Sequence, residues 1–284
     1  MAVAQLDCSV PASQSPRPGS CEAFRLTEIV PLADSQDVPV DVVPALTFND
    51  FPNPDTIDVN TVALYTGFFY HTGRFWVDLL ERRAFFRPSG TLSPGLGYTL
   101  VVRPGILSLR GCALSPPNPG AMGKDADIYA YRFQTAPRGA EKEPRPVPST
   151  AGFDQVLEVF AGHCGGAGCH LSGDAPASDP ATCLDEPAGG LSLCGRDAHG
   201  GLVGIPSQQV RRLVRVAPRD SSRSYLLRKL IGAPPIVGHA GVPRDDGATA
   251  DAGGGTDHPP LSHDELAVIQ SWIDSGAPEA PGAP

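Results

Sequence analysis

The chain has no apolar run approaching the roughly 20 residues that a membrane-spanning helix needs, so no membrane span is expected. Its net charge of −9 supplies no basic footprint for nucleic acid. It contains no glycine-rich phosphate loop followed by Lys-Ser/Thr, no G-x-S-x-G elbow and no H-E-x-x-H. No hydrolytic or phosphoryl-transfer site assembles from such a sequence, and no enzymatic activity is expected. Methionine is nearly absent, with only Met1 and Met122. A thioether ligand is therefore missing from the whole C-terminal half.

What is abundant is punctuation. The 32 glycines and 31 prolines imply many turns and linkers, and 284 residues suffice for two modest domains. Seven cysteines favour an oxidising compartment, the periplasm or the cell surface. Cys21 with Cys112, and Cys183 with Cys194, are candidate disulfides. Cys8 is either a lipid anchor or a partner for Cys21, although Met1–Asp7 carries no hydrophobic signal region.

Residues 1–22 are polar and Pro/Ser-rich and read as a tail or tether. From 23 to 136 the pattern is of short strands with frequent turns. The candidates are Phe24–Val30, Ala45–Phe48, Thr61–Tyr65, Gly73–Val77, Ala84–Arg87, Tyr98–Val102 and Tyr129–Thr135. The expected fold is an all-β sandwich. Residues 137–150 are proline-rich and read as a linker.

In the region 151–284, a helix capped by Ser149 or Thr150 should present Phe153, Val156, Leu157 and Phe160 on one face. A second helix follows Ser222, carrying Tyr225, Leu226, Leu227 and Leu230. The last has a capping box in Ser262 and Glu265, with Leu266, Ile269, Trp272 and Ile273 as its buried stripe. Gln208–Val216 is a short helix or an extended run, and the Gly/Ala/Asp-rich 245–257 stretch is an insertion.

The first of these helices ends in His163-Cys164-Gly165-Gly166-Ala167-Gly168-Cys169-His170. A c-type haem hangs from two cysteine thioethers, with the histidine after the second cysteine as an iron ligand. The usual spacing between the cysteines is two residues, and here it is four. Two other readings remain open: a Cys164–Cys169 disulfide, or a zinc site drawn from Cys164, Cys169, Cys183, Cys194 and His170. A haem reading asks for open space near His170, walled by Trp272 and Leu226.

The β region resembles bacterial Ig-like domains through Val38-Pro39-Val40-Asp41, Leu46-Thr47-Phe48, Leu92-Ser93-Pro94-Gly95, Tyr98-Thr99-Leu100-Val101-Val102 and Tyr131-Arg132-Phe133-Gln134-Thr135. That resemblance implies a spacer or adhesion module. The C-terminal region resembles the single-haem cytochrome c domains of planctomycete and myxobacterial exported proteins. The likeness rests on the cysteine string, Val203-Gly204-Ile205-Pro206-Ser207, Ser224-Tyr225-Leu226-Leu227-Arg228-Lys229-Leu230-Ile231-Gly232, and Leu261-Ser262-His263-Asp264-Glu265 leading to Trp272-Ile273-Asp274-Ser275-Gly276-Ala277.

This second resemblance implies a small, mostly α domain holding one covalent haem c on Cys164 and Cys169, with His170 on iron. It implies single-electron exchange with a redox partner protein. In that family a methionine before a proline supplies the distal ligand, whereas this chain reads Gly241-Val242-Pro243. Three alternatives stay open: His239 or His258 takes that place, the iron is five-coordinate with a face open to a small ligand, or the domain has lost haem. In the last case the protein is a disulfide-stapled surface module. His71, His163, His199 and His263 read as surface or packing residues. The run Arg211, Arg212, Arg215, Arg219, Arg223, Arg228 and Lys229 reads mainly as a solvated face, with one or two members available for haem propionates or an acidic partner.

Overall fold

The computed structural model describes residues 23–117, 127–137, 151–164, 170–171, 190–195, 197–234 and 261–279, which fall into two compact units, 23–137 and 151–279.

Among the described residues the first unit contains nine strands: β1 (Leu26–Val30), β2 (Ser35–Val38), β3 (Ala45–Phe48), β4 (Val62–Thr66), β5 (Phe69–His71), β6 (Gly73–Asp78), β7 (Arg83–Pro88), β8 (Gly97–Val102) and β9 (Tyr129–Thr135). They form two sheets, β1-β3-β7-β6 and β2-β9-β8-β4-β5. All pairings are antiparallel except β2 with β9. The result is a β-sandwich. Its cause is alternation: in β8, Tyr98, Leu100 and Val102 are buried while Thr99 and Val101 are half-exposed. Leu46, Phe48, Leu64, Phe86 and Phe133 are among the other core residues, each fully buried side chain contributing about 1.5–3 kcal/mol. Tyr98 stacks on Phe133 at 5.5 Å, and its hydroxyl accepts the Ser93 amide at 2.8 Å.

Two of these strands escape the sequence reading. β2 reads Ser-Gln-Asp-Val and β5 reads Phe-Tyr-His, and neither alternates. The expected first strand is also shorter, beginning at Leu26, with Phe24 forming an isolated bridge to Leu114.

The chain passes from the edge of one sheet to the edge of the other at Gly73. A Cβ there would lie 2.3 Å from the Arg87 carbonyl oxygen and 2.5 Å from the Phe86 ring. Only glycine allows that close approach.

The second unit contains α1 (Phe153–His163), α2 (Asp197–Leu202), α3 (Tyr225–Leu230) and α4 (His263–Asp274). α1 and α3 both pack on α4. α1 is capped by Gly152 rather than by Ser149 or Thr150; the Gly152 amide donates to Gln155 Oε1 at 3.0 Å. α4 has the expected box, with the Ser262 amide donating to Glu265 Oε2 at 2.7 Å and the Glu265 amide to Ser262 Oγ at 3.3 Å. Its stripe is Ile269, Trp272 and Ile273; Leu266 is only half-buried. Gln208–Val216 is not a helix but turns and bridges, with Val214 pairing Pro206 and Ser224, and Val216 pairing Val203. Among the described residues, then, the unit mixes helices with irregular chain. No helix among them is long and apolar enough to cross a membrane.

Candidate functional site

α1 delivers Cys164. The helix buries Phe153, Val156, Leu157, Val159, Phe160 and His163, and Cys164 continues that face at 4% exposure. Its amide closes the last turn on the Phe160 carbonyl at 2.8 Å. The Cys164 thiol is free. Burial pushes its pKa up to about 12 against the opposing pull of the Lys229 cation. The thiol is therefore protonated at neutral pH.

His170 sits directly above that helix end. Its amide donates to the Cys164 carbonyl at 3.3 Å, and the Leu193 amide donates to the His170 carbonyl at 3.3 Å. The ring Nδ1 lies 2.9 Å from the Leu191 carbonyl oxygen. A carbonyl only accepts, so the proton of this bond resides on Nδ1. Burial lowers the His170 pKa, and the Lys229 and Arg215 charges act the same way, while the Leu191 bond opposes them. The ring is thus neutral at pH 7, with its lone pair on Nε2. Among the described residues Nε2 has no partner. A histidine held by an Nδ1–H···O=C bond is how proteins orient a metal-ligating imidazole.

The segment 190–195 that supplies the Leu191 carbonyl is itself anchored. Arg215, at 8% exposure, donates from Nη1 to the Gly201 carbonyl at 2.7 Å and from Nη2 to the Gly190 carbonyl at 3.4 Å. Leu193 and Cys194 are buried beside it, and Cys194 is disulfide-bonded, as is Cys112 in the β unit. The expected partners Cys183 and Cys21 lie outside the described residues.

Most of the cationic run is the expected solvated face, but three of its seven members are not. Arg215 and Arg228 are buried, Arg228 donating from Nε to the Ser222 carbonyl at 2.8 Å. Lys229 is half-buried, and desolvation lowers its pKa. Arg211, Arg212, Arg219 and Arg223 remain exposed, with Arg223 paired to Asp220 at 2.7 Å. Irregular backbone leaves carbonyls that guanidinium groups can satisfy, a signal that side-chain pattern alone does not carry.

Other expected residues fall elsewhere. Trp272 is fully buried among the described residues, 5.1 Å from the Phe153 ring, with its indole N–H on the Pro278 carbonyl at 2.9 Å. His199 joins this cluster, 5.2 Å from Phe153, and its Nε2 donates to the Ala277 carbonyl at 2.8 Å. His163 is buried against Glu265 at 2.9 Å. His71 packs on Tyr98 and bonds Thr66. Cys169, His239 and His258 lie outside the described residues. Among the described residues no group of three or more His, Cys, Asp or Glu side chains is placed to hold a metal ion.

No family model matches the chain, and no curated sequence relative does. Solved structures with partial likeness include the N-terminal part of the bacterial S-layer protein SbsC, at 13% identity and a TM-score of 0.30, covering 47% of this chain and 27% of that one. CopC from Methylosinus trichosporium OB3b matches at 15% identity and a TM-score of 0.30, over 42% of this chain and 99% of its own. PcoC, a methionine-rich copper resistance protein from Escherichia coli, matches at 16% identity and 0.27, over 40% and 99%. The chain spans about a quarter of the length of the S-layer structure. Likeness at this level assigns no function.

Proposed function

We propose that the second unit is a c-type cytochrome domain, carrying one haem on thioethers from Cys164 and Cys169 with His170 Nε2 on the iron, in an exported electron-transfer protein. The observation that carries the reading is the pairing of a free, buried Cys164 with a neutral His170 whose Nδ1–H is fixed on Leu191 and whose Nε2 is open. These residues fit the group: a thiol at a helix end, and an imidazole in the tautomer that ligates. The second group of sequence motifs, ending in Trp272-Ile273-Asp274-Ser275-Gly276-Ala277, resembles that family. Bound haem would supply a one-electron iron couple. The protein's part is to orient His170 through Leu191, to exclude water with Leu171, Leu193 and Phe160, and to place Lys229 and Arg215 as positive charge near the site. His239 or His258 is proposed for the sixth position, and an imidazole there lowers the potential relative to methionine. The sandwich, read as Ig-like, serves as spacer or docking surface in the periplasm or at the cell surface.

The packing of Trp272 against Phe153 favours a second reading, a haem-free surface module stapled by disulfides at Cys112 and Cys194. Expression in the periplasm of a strain that matures c-type cytochromes separates the two. The first reading expects a haem-stained band that survives denaturation and is lost in Cys164→Ala/Cys169→Ala, with a pyridine haemochrome spectrum of c type. A colourless, folded protein from cells that mature a control cytochrome overturns it.

A further inference from the structure

One flank of the sandwich is aromatic and basic at once. β5 is the outer strand of one sheet and β6 the outer strand of the other, and they follow each other through Thr72. Residues 68–76 therefore run along a single edge of the sandwich. At its end the β4–β5 hairpin turns over Gly67 and Phe68, with Thr66 pairing Phe69 and Gly67 at a φ of 56°, the glycine-first geometry of a type II′ turn. Phe68 is fully exposed and Phe69 is 79% exposed. Tyr65 pairs Thr99, which sets the tip beside the start of β8, where Leu96 is 43% exposed. Further along the edge, Trp76 is 40% exposed and stacks on Phe85, with the Arg87 guanidinium 5.4 Å from its ring centre.

The charge of the flank runs against that of the chain. No carboxylate occurs between Asp58 and Asp78, whereas the protein carries −9 overall. Arg74 and Arg87 are exposed, lie directly opposite each other across β6 and β7, and have no ion pair among the described residues. The other arginines of the β6–β7 hairpin are engaged, Arg82 with the Asn49 carbonyl and Arg83 with Glu28.

We infer that this flank seats the protein on an anionic phospholipid surface, with Phe68 and Phe69 entering the headgroup–acyl boundary and Arg74 and Arg87 facing lipid phosphates. A hairpin tip whose rings are almost wholly exposed suits a soft medium that closes around it. A protein partner would have to supply a matching pocket. Exposed aromatics on the same flank as arginines that have no ion pair are the elements of peripheral membrane binding. The inference is independent of the haem reading.

Vesicle flotation tests it, using the full chain with phosphatidylcholine vesicles and with vesicles containing about 30 mol % phosphatidylglycerol. The expected result is flotation with the anionic vesicles only, weakened by salt, with a blue shift of Trp76 emission; buried Trp272 supplies a constant background. Phe68→Ser/Phe69→Ser should weaken partition at least about ten-fold without changing the melting curve, since neither ring is packed. Arg74→Gln/Arg87→Gln should weaken it and flatten the salt dependence. No flotation, equal flotation with neutral vesicles, or binding unchanged by the phenylalanine variant would each overturn the inference. So would self-association, or capture of an acidic peptide, that the same variant abolishes while vesicle binding is absent.

Discussion

His163 Nε2 and the Glu265 carboxylate meet at 2.9 Å, joining the last residue of α1 to the first turn of α4. The same carboxylate accepts the amide and hydroxyl of Ser262, so one side chain both caps α4 and holds the helix that carries Cys164. Burial works against ionisation of Glu265, but the Ser262 and His163 hydrogen bonds outweigh it and hold its pKa below the ordinary 4.5.

The sign of the pH dependence follows. A carboxylate with a lowered folded-state pKa adds stability that is complete well above 4.5 and is lost as the pH falls through 4.5 and then through the folded value. Glu265→Gln should therefore lower the melting temperature at pH 7, and its difference from the parent should shrink below pH 4.5. Glutamine keeps the hydrogen-bonding shape of this cap and removes only its charge, so the expected loss is about 0.3–1 kcal/mol. A difference that does not change with pH across this range would show that the carboxylate charge contributes nothing.

Gly73→Ala tests the crossing between the sheets. The new Cβ would meet the Arg87 carbonyl at 2.3 Å and the Phe86 ring at 2.5 Å, and neither backbone nor a core ring yields easily. The expected loss is about 1–3 kcal/mol, read as an earlier denaturant midpoint. Gly90→Ala, where nothing lies within 4 Å, is the matched control and should leave the midpoint unchanged.

The core strands and α4 were legible in the sequence because each buries one face with the right period: Tyr98, Leu100 and Val102 in twos, and Ile269, Trp272 and Ile273 at helical spacing. β5 was not legible, because its residues are held by pairing with β4 while Phe69 and Tyr70 face solvent. α2 carries two glycines in six residues and owes its place to tertiary packing around Ala198 and Leu202. At the candidate site, Cys164 and His170 stood out as a motif. The Leu191 carbonyl that fixes the His170 tautomer did not, because a backbone oxygen leaves no residue signature.

Cys164 should be inert in folded protein made without haem maturation. With burial raising its pKa to about 12, roughly one thiol in ten thousand is ionised at pH 8, and the thiolate is the species that alkylates. Iodoacetamide should label Cys164 only after unfolding, as read by peptide mass analysis. Rapid labelling of the native protein would mean that the end of α1 opens to solvent. In haem-loaded protein the position should resist alkylation even after denaturation, because a thioether has no thiol to offer.

Arg215 is the residue through which the site's backbone is held. Its guanidinium reaches the carbonyls of Gly201 and Gly190, and Gly190 immediately precedes the Leu191 whose carbonyl receives the His170 proton. Arg215→Ala should remove both charge-assisted hydrogen bonds and cost about 1–3 kcal/mol. Arg215→Lys should recover only part of that, since an ammonium does not reproduce the planar fork that spans two acceptors. A merely structural arginine would lower the melting temperature and leave His170 unchanged. A positioning arginine should also move the His170 ring resonances, because loosening Gly190 loosens the Leu191 bond and lets the imidazole proton exchange between Nδ1 and Nε2. Imidazole nitrogen chemical shifts read that change directly. Shifts that stay at the Nδ1–H values in a folded Arg215→Ala protein would separate the two groups and leave His170 fixed by the Cys164 and Leu193 backbone bonds alone.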